Sequence, residues 1–343
     1  MTRYILTHPV FEDVWPLAAD HLEATWREHG PVTHIRLEEN RDITLGEVID
    51  EPTDVTMLAS LGVPVTETCL DRLPNLAAAF ALTDNMYGMD EEVISWFEDR
   101  GIEVIAHESE GFWGQSVAEF ALALTINGLR KIPQKHKEMT ESHDPWDRED
   151  LEGMIPGSGG HQFGDDPRYV NGTVAGKRVR VVGVGNIGSR YASFCDFLGA
   201  DVAAFDPFAD EPCFHRSGAR QVYDIETLPE DADIFAPMVP LMDSTEGLVT
   251  RAHIEAVPEG SLLVLATRAG ICDTEAVKER VLADEISLAA DVFDTGLAGE
   301  PVPLDDPLLD RHNVVHTPHI AGRTRDANEQ WAEDLVALFE GGH

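Results

Sequence analysis

Apolar positions along the chain alternate between short β-branched runs and longer segments with three-and-four spacing. That is the pattern of strands alternating with helices in parallel α/β units. In the first third it predicts strands at 4–6, 55–58 and 102–106, an apolar run at 76–82, and helices at 14–29 and 91–100. The longest helical pattern, SVAEFALALTINGLRKI at 116–132, is closed by Pro133. Residues 134–172 are rich in Pro, Gly and acids with little periodicity, and read as a long surface connection. From 178 the alternation is sharpest: Val179, Val181 and Val182 suit a buried parallel strand, and Ile187, Tyr191, Phe194, Cys195 and Leu198 follow at helical spacing up to Gly199. A second strand then ends at Asp206, and further strands are predicted at 234–240, 261–266, 286–292 and 314–317, with helices at 275–282 and 324–340. A chain of 343 residues exceeds one typical domain, so a two-domain α/β protein is expected.

Charge narrows the range of partners. The chain carries 63 acids against 25 bases, a formal net charge of −38, with lysine at only five positions. An even acidic excess of this size suits a protein dissolved in concentrated salt, where screening relieves the self-repulsion, so a salt-adapted cytoplasm is expected. With no basic stripe to displace phosphate counterions, nucleic acid is not an expected partner. The N-terminal stretch lacks a long apolar core with a small-residue cleavage site, and no run approaches the length of a membrane span. Cys69, Cys195, Cys213 and Cys272 show no C-x-x-C spacing and read as reduced thiols, and the 14 histidines form no recognisable metal-ligand cluster, so no metal is expected.

The chemistry starts at Gly183, Val184, Gly185, Asn186, Ile187 and Gly188, a G-x-G-x-x-G between predicted strand and helix. Its first glycine permits the tight turn, the second admits a pyrophosphate, and the third lets helix approach strand. Free amides at the helix start favour phosphate. Asp206 stands where an acid would accept from a ribose 2′-hydroxyl and repel a 2′-phosphate, and no arginine or lysine follows it until Arg216. NAD is therefore favoured over NADP.

The order of motifs resembles the D-isomer-specific 2-hydroxyacid dehydrogenase family from about Leu73 onward. The likeness rests on Tyr87-Gly88-Met89-Asp90, Ser116-Val117-Ala118-Glu119, the Gly183 turn with Asp206, Val239-Pro240-Leu241 with Thr245, Thr267-Arg268, Asp291-Val292-Phe293, Glu300-Pro301 and Thr317-Pro318-His319-Ile320. The resemblance implies a Rossmann dinucleotide-binding domain at 111–320 and a smaller flavodoxin-like parallel α/β substrate domain at 1–110 with 321–343. It implies hydride transfer between NAD(H) and the C2 of a small 2-oxo or 2-hydroxy acid bound between the domains, and a homodimer built on the long helix.

The family pattern also distributes roles. Arg268 matches the cation that holds the substrate carboxylate, a task suited to a planar, permanently charged fork. His319 matches the proton donor and acceptor, and Glu300 the carboxylate that orients it. Six residues between Phe293 and Glu300 look like an insertion, so Asp294 competes for that last role. Tyr87 and Gly88 match the loop whose amides hold the substrate carboxylate. Pro240, Thr245, Thr267, Arg268, Asp291 and His319 join the glycine turn as cofactor-binding positions. The resemblance leaves open a second reading, an NAD(H)-sensing corepressor-like scaffold of the same fold, and a third, oxidation of formate or phosphite. Against formate, relatives place glutamine where Glu300 stands.

Overall fold

The computed structural model describes residues 1–38, 43–82, 89–107, 111–150, 159–293 and 302–341. The chain divides into two compact units, Met1–Trp113 with Arg323–His343, and Gly114–Gly322.

In the first unit, strands β1 (Arg3–Thr7), β2 (Val32–Arg36), β3 (Met57–Leu61), β4 (Ala78–Leu82) and β5 (Glu103–Val104) pair in parallel in the order β2-β1-β3-β4-β5. This is the flavodoxin-like order. Every residue of β1 is buried, because strand alternation sends its side chains to two covered faces. Ile5 joins Ala59, Phe80 and residues of the helices Ala18–Arg27 and Arg325–Phe339 in one core. Tyr4 and Leu6 join Leu58, Ala79 and Phe97 in the other.

The helix expected at 14–29 starts later, as Ala18–Arg27, and a separate short helix, Pro9–Val14, precedes it. Pro16 accounts for the gap between them, since its ring keeps Trp15 out of the helical region, at φ −125 and ψ 73. Strand β2 was absent from the expected elements; its half-exposed edge position gives no buried run to read.

The C-terminal helix is tied to the first strand. Arg3 donates from Nε and Nη2 to the two carboxylate oxygens of Glu340 at 2.8 and 2.9 Å, and Trp26 Nε1 donates to Glu340 Oε1 at 2.8 Å. The Arg3 guanidinium holds the Glu340 carboxyl below the usual carboxylate range.

The second unit holds a short antiparallel pair, β6 (Arg148–Asp150) with β7 (Gly159–His161), and a seven-stranded parallel sheet. The sheet comprises β8 (Arg178–Val182), β9 (Asp201–Phe205), β10 (Arg220–Val222), β11 (Ile234–Pro237), β12 (Leu262–Leu265), β13 (Ser287–Ala290) and β14 (Val314–His316). Its order, β10-β9-β8-β11-β12-β13-β14, reverses direction between β8 and β11, the doubly wound arrangement whose switch point receives ligands. Both fold classes expected from the sequence are therefore present.

The long helix runs Gly111–Arg130 and buries Val117, Ala121, Leu124 and Leu129. At Gly128 a Cβ would lie 2.7 Å from Leu262 Cδ1, so glycine there lets the helix lie against β12.

Residues 134–172 are more structured than the sequence suggested. Lys131 at φ 49 ends the long helix, and a second helix, Ile132–Glu141, begins with Pro133 in its first turn. Proline needs no partner for its absent N–H there, so the residue read as a stop is a start. Cys69, Cys195 and Cys272 are buried free thiols and Cys213 is half-exposed; burial pushes Cys195 up to about 12. Among the described residues no helix is long and apolar enough to cross a membrane.

Because the folded-state Glu340 carboxyl lies below its ordinary 4.5, the Arg3–Glu340 contribution is complete above that value and is lost as pH falls through the folded-state one. Glu340→Gln is expected to cost about 2 kcal/mol at pH 7. The gap to wild type should shrink in acid, as measured by urea unfolding at pH 7 and pH 3.5 in constant KCl. A gap independent of pH would mean that the charge of Glu340 contributes nothing.

Candidate active site

The loops that follow the carboxyl ends of β8, β9, β11, β12, β13 and β14 carry most of the sequence-predicted site residues, all within the unit Gly114–Gly322. The glycine turn shows three separate reasons for its glycines. Gly183 sits at φ +95, and a Cβ there would lie 2.6 Å from Val239 Cγ1. A Cβ on Gly188 would collide with the Gly183 carbonyl oxygen, so the third glycine permits the helix Asn186–Phe197 to lie on β8. Gly185 is exposed, and a Cβ there would meet nothing within 4 Å among the described residues. The protein itself therefore does not require glycine at 185, whereas a phosphate approaching the backbone would. Gly185 is also the N-cap of that helix and supplies no side chain to the first-turn amides. Asn186 and Ile187, half-buried, form the first turn.

Asp206 locks the end of β9 to this turn. Its Oδ2 accepts from the Val184 amide at 2.9 Å, and Oδ1 accepts from the amides of Phe208 at 2.9 Å and Ala209 at 3.1 Å. A carboxylate offers about four acceptor positions, which leaves Oδ2 room for one further donor such as a hydroxyl.

After β11, Val239 lies against Gly183 and Pro240 is exposed. Thr245 is buried and its hydroxyl is spent within the loop, donating to the Pro240 carbonyl at 2.5 Å and accepting from the Met242 amide at 2.9 Å. Thr267, after β12, is different: its hydroxyl oxygen is buried with no partner among the described residues. An orphaned buried hydroxyl beside the switch point fits a site that receives a polar ligand.

Arg268 and His319 come together from sequence positions 51 apart. Arg268 Nη1 donates to the Thr267 carbonyl at 2.7 Å and lies 3.3 Å from His319 Nε2. A guanidinium has donors only, so in this arrangement Nε2 accepts and the imidazole proton sits on Nδ1. His319 has φ +55, a left-handed conformation that costs a non-glycine residue about 1–2 kcal/mol.

Asp291 holds the histidine there. Only 1% exposed, it accepts from the Thr317 hydroxyl at 2.6 Å and the amides of Ile320 and Ala321 at 3.1 and 2.8 Å, while its carbonyl accepts from the His319 amide at 2.9 Å. Four bonds from one residue thus fix the loop on both sides of the histidine. The sequence marked Asp291 for the cofactor and gave no sign of this positioning work. Ser116 adds a hydroxyl bond to the Ala321 carbonyl.

Tyr87, Gly88, Asp294 and Glu300 lie outside the described residues. Arg190 and Arg216, which the sequence did not single out, line a groove beside the glycine turn. For Arg190 the available signal was its i+4 spacing from Asn186, whose carbonyl it reaches at 2.7 Å. Among the described residues no group of three His, Cys, Asp or Glu could hold a metal ion.

A doubly wound parallel sheet with a glycine turn at its switch point is the architecture of a dinucleotide-binding α/β unit, and here an arginine–histidine pair stands on its later strand ends. The model of the D-isomer specific 2-hydroxyacid dehydrogenase NAD binding domain matches residues 122–321, and the chain belongs to that family. It is 33% identical over 259 residues to D-3-phosphoglycerate dehydrogenase of Archaeoglobus fulgidus, covering 74% of this chain and 44% of that one. It is 27% identical over 329 residues to glyoxylate/hydroxypyruvate reductase B of an Enterobacter species, covering 92% and 90%. The first relative, and a second D-3-phosphoglycerate dehydrogenase from Methanocaldococcus jannaschii of which 55% is covered, are about twice as long as the part this chain spans.

Among solved structures, the NADPH-dependent glyoxylate/hydroxypyruvate reductase of Sinorhizobium meliloti superposes with a TM-score of 0.69 at 21% identity, covering 100% of this chain and 96% of that one. The NAD-complexed D-isomer specific 2-hydroxyacid dehydrogenase of Lactobacillus delbrueckii gives 0.68 at 20%, covering 99% and 98%. These likenesses concern the fold.

The glycines separate fold from ligand. Gly188→Ala is expected to destabilise by about 1–3 kcal/mol through overpacking. Gly185→Ala should melt within a few degrees of wild type yet bind NADH at least about tenfold more weakly, because the methyl group enters the space left for phosphate. Thermal melting and NADH fluorescence titration distinguish them. Unchanged NADH affinity in Gly185→Ala would remove the phosphate from this turn.

Proposed function

We propose that this chain transfers a hydride between NAD(H) and the C2 of a small 2-oxo or D-2-hydroxy acid, acting as a reductase of 2-oxo acids. The observation that carries the reading is the Arg268–His319 pair, 3.3 Å apart on strand ends of the sheet that bears the glycine turn. A 2-oxo acid places a carboxylate beside a carbonyl. The Arg268 fork suits the carboxylate, and its charge favours the negative charge that develops on the carbonyl oxygen.

His319 moves the proton at Nε2: the imidazolium gives it to that oxygen in reduction, and the neutral ring takes it back in oxidation. In this arrangement Nε2 is turned to Arg268, so substrate oxygen replaces the ring as the partner of Nη1 and frees Nε2 for the transfer. The carboxylate that stabilises the protonated ring is Glu300, with Asp294 as the competing choice. Asp291 keeps the ring in place by holding its loop. NAD(H), when bound, supplies or accepts the hydride.

The remaining acceptor position on Asp206 suits a ribose hydroxyl, and its charge opposes a 2′-phosphate, which favours NAD(H) over NADP(H). The relatives named above are dehydrogenases and reductases, which supports chemistry over a cofactor-sensing scaffold. The net charge of −38 supports working conditions of high salt.

NADH oxidation with a panel of 2-oxo acids, at high and low KCl, tests the reading. His319→Ala is expected to lower kcat by about 10³-fold with NADH affinity within about threefold of wild type. Arg268→Lys should raise KM for the acid by about tenfold or more, since the bidentate fork is lost. Absence of turnover on every acid of the panel would sink the enzyme reading in favour of the scaffold. Full activity and stability in dilute buffer would sink the salt adaptation alone.

A further inference from the structure

Beside the glycine turn lies a groove of about 460 Å³, lined by Val184, Gly185, Asn186, Arg190, Cys213 and Arg216 among others. It runs between the helices Asn186–Phe197 and Glu211–Ser217, and no role described above uses its cationic walls. Most described arginines and lysines have a carboxylate within 4 Å; Arg3, Arg178, Arg180 and Lys278 are examples.

Arg190 and Arg216 have none among the described residues. Arg190 donates from Nη1 to the carbonyl and side-chain oxygens of Asn186, and Arg216 reaches the Cys213 sulfur, at 3.6 Å from Nη2. Two guanidinium groups clear of carboxylates on one groove of a protein with 63 acids suit a ligand of the opposite sign. Planar forks match phosphate oxygens in pairs.

We infer that the part of this groove between Arg190 and Arg216 is a seat for a phosphate-type dianion, adjoining the place of the dinucleotide's pyrophosphate at Gly185 and gripped by the two guanidinium groups. Two sources carry that chemistry: free phosphate, or a small phosphorylated metabolite acting beside bound NAD(H), and the extra phosphate of NADP(H). The second would let the chain use both dinucleotides despite the charge of Asp206. Neither depends on which 2-oxo acid is reduced.

The test compares the full-length wild type with Arg190→Gln/Arg216→Gln by calorimetric titration in constant KCl. Three titrants are used: NADH, NADPH, and inorganic phosphate added to protein saturated with NADH. The glutamine pair is expected to bind NADH within threefold of wild type and to lose at least tenfold in affinity for one phosphate source. Loss of phosphate binding by the NADH-saturated protein assigns the groove to a free anion. Loss of NADPH affinity, with phosphate competing against NADPH and not against NADH, assigns it to the dinucleotide.

Arg190→Lys/Arg216→Lys, which keeps both charges, should recover most of the affinity, and unchanged melting temperatures in both pairs exclude loss of fold. Equal affinities of wild type and the glutamine pair for phosphate and for NADPH overturn the seat. Phosphate binding in the absence of any dinucleotide binding would leave the seat standing and defeat the cofactor reading above.

Discussion

The unit Gly114–Gly322 is built outward from one close approach, the backbone of Gly188 against the carbonyl of Gly183. Without a side chain at either position, the helix Asn186–Phe197 starts directly over the end of β8 and its first-turn amides stand over the switch point of the sheet. A methyl group at 188 would push the helix away from the strand. Asp206 then fastens the neighbouring strand to the same turn through the Val184 amide, so the fold and the candidate phosphate site share one set of contacts.

A second constraint organises the chemical end of the sheet. A left-handed histidine would relax if its loop were free, and the buried Asp291 carboxylate prevents that by taking the Thr317 hydroxyl and the Ile320 and Ala321 amides. Burying a charge is costly unless it is fully hydrogen-bonded, and the loop amides provide those bonds. Stabilising the anion and straining the histidine are therefore the same arrangement seen from two sides. The loop so held leaves His319 Nε2 3.3 Å from Arg268, which comes from the opposite side of β13.

Charge works differently in the two units. In the first, Arg3 and Glu340 link chain beginning to chain end across the sheet, where the burial of Arg3 makes the pair matter. In the second, Arg180 lies buried in a central strand and is satisfied by Asp231 at 2.7 Å and Asp201 at 3.1 Å. Arg190 and Arg216, by contrast, have no carboxylate within 4 Å among the described residues and face one groove together.

The sequence by itself determined the alternation of strand and helix, the glycine turn, and the strand ends at which Asp206, Arg268, Asp291 and His319 stand. These are local matters: backbone propensity, side-chain periodicity and the steric needs of a turn are written in neighbouring residues. Edges and breaks were less legible. Strand β2 has no buried run to betray it, and Pro133 can end one helix or begin the next depending on the conformation of Lys131. Only the tertiary structure decided that Arg268 meets His319, that Asp291 serves the loop of His319, that the Thr245 hydroxyl is spent inside its own loop, and that Arg190 and Arg216 share a groove. Each of these is a contact between residues far apart in the chain or a choice among competing hydrogen-bond partners. Such contacts are set by the order in which parallel strands assemble, which no stretch of sequence contains.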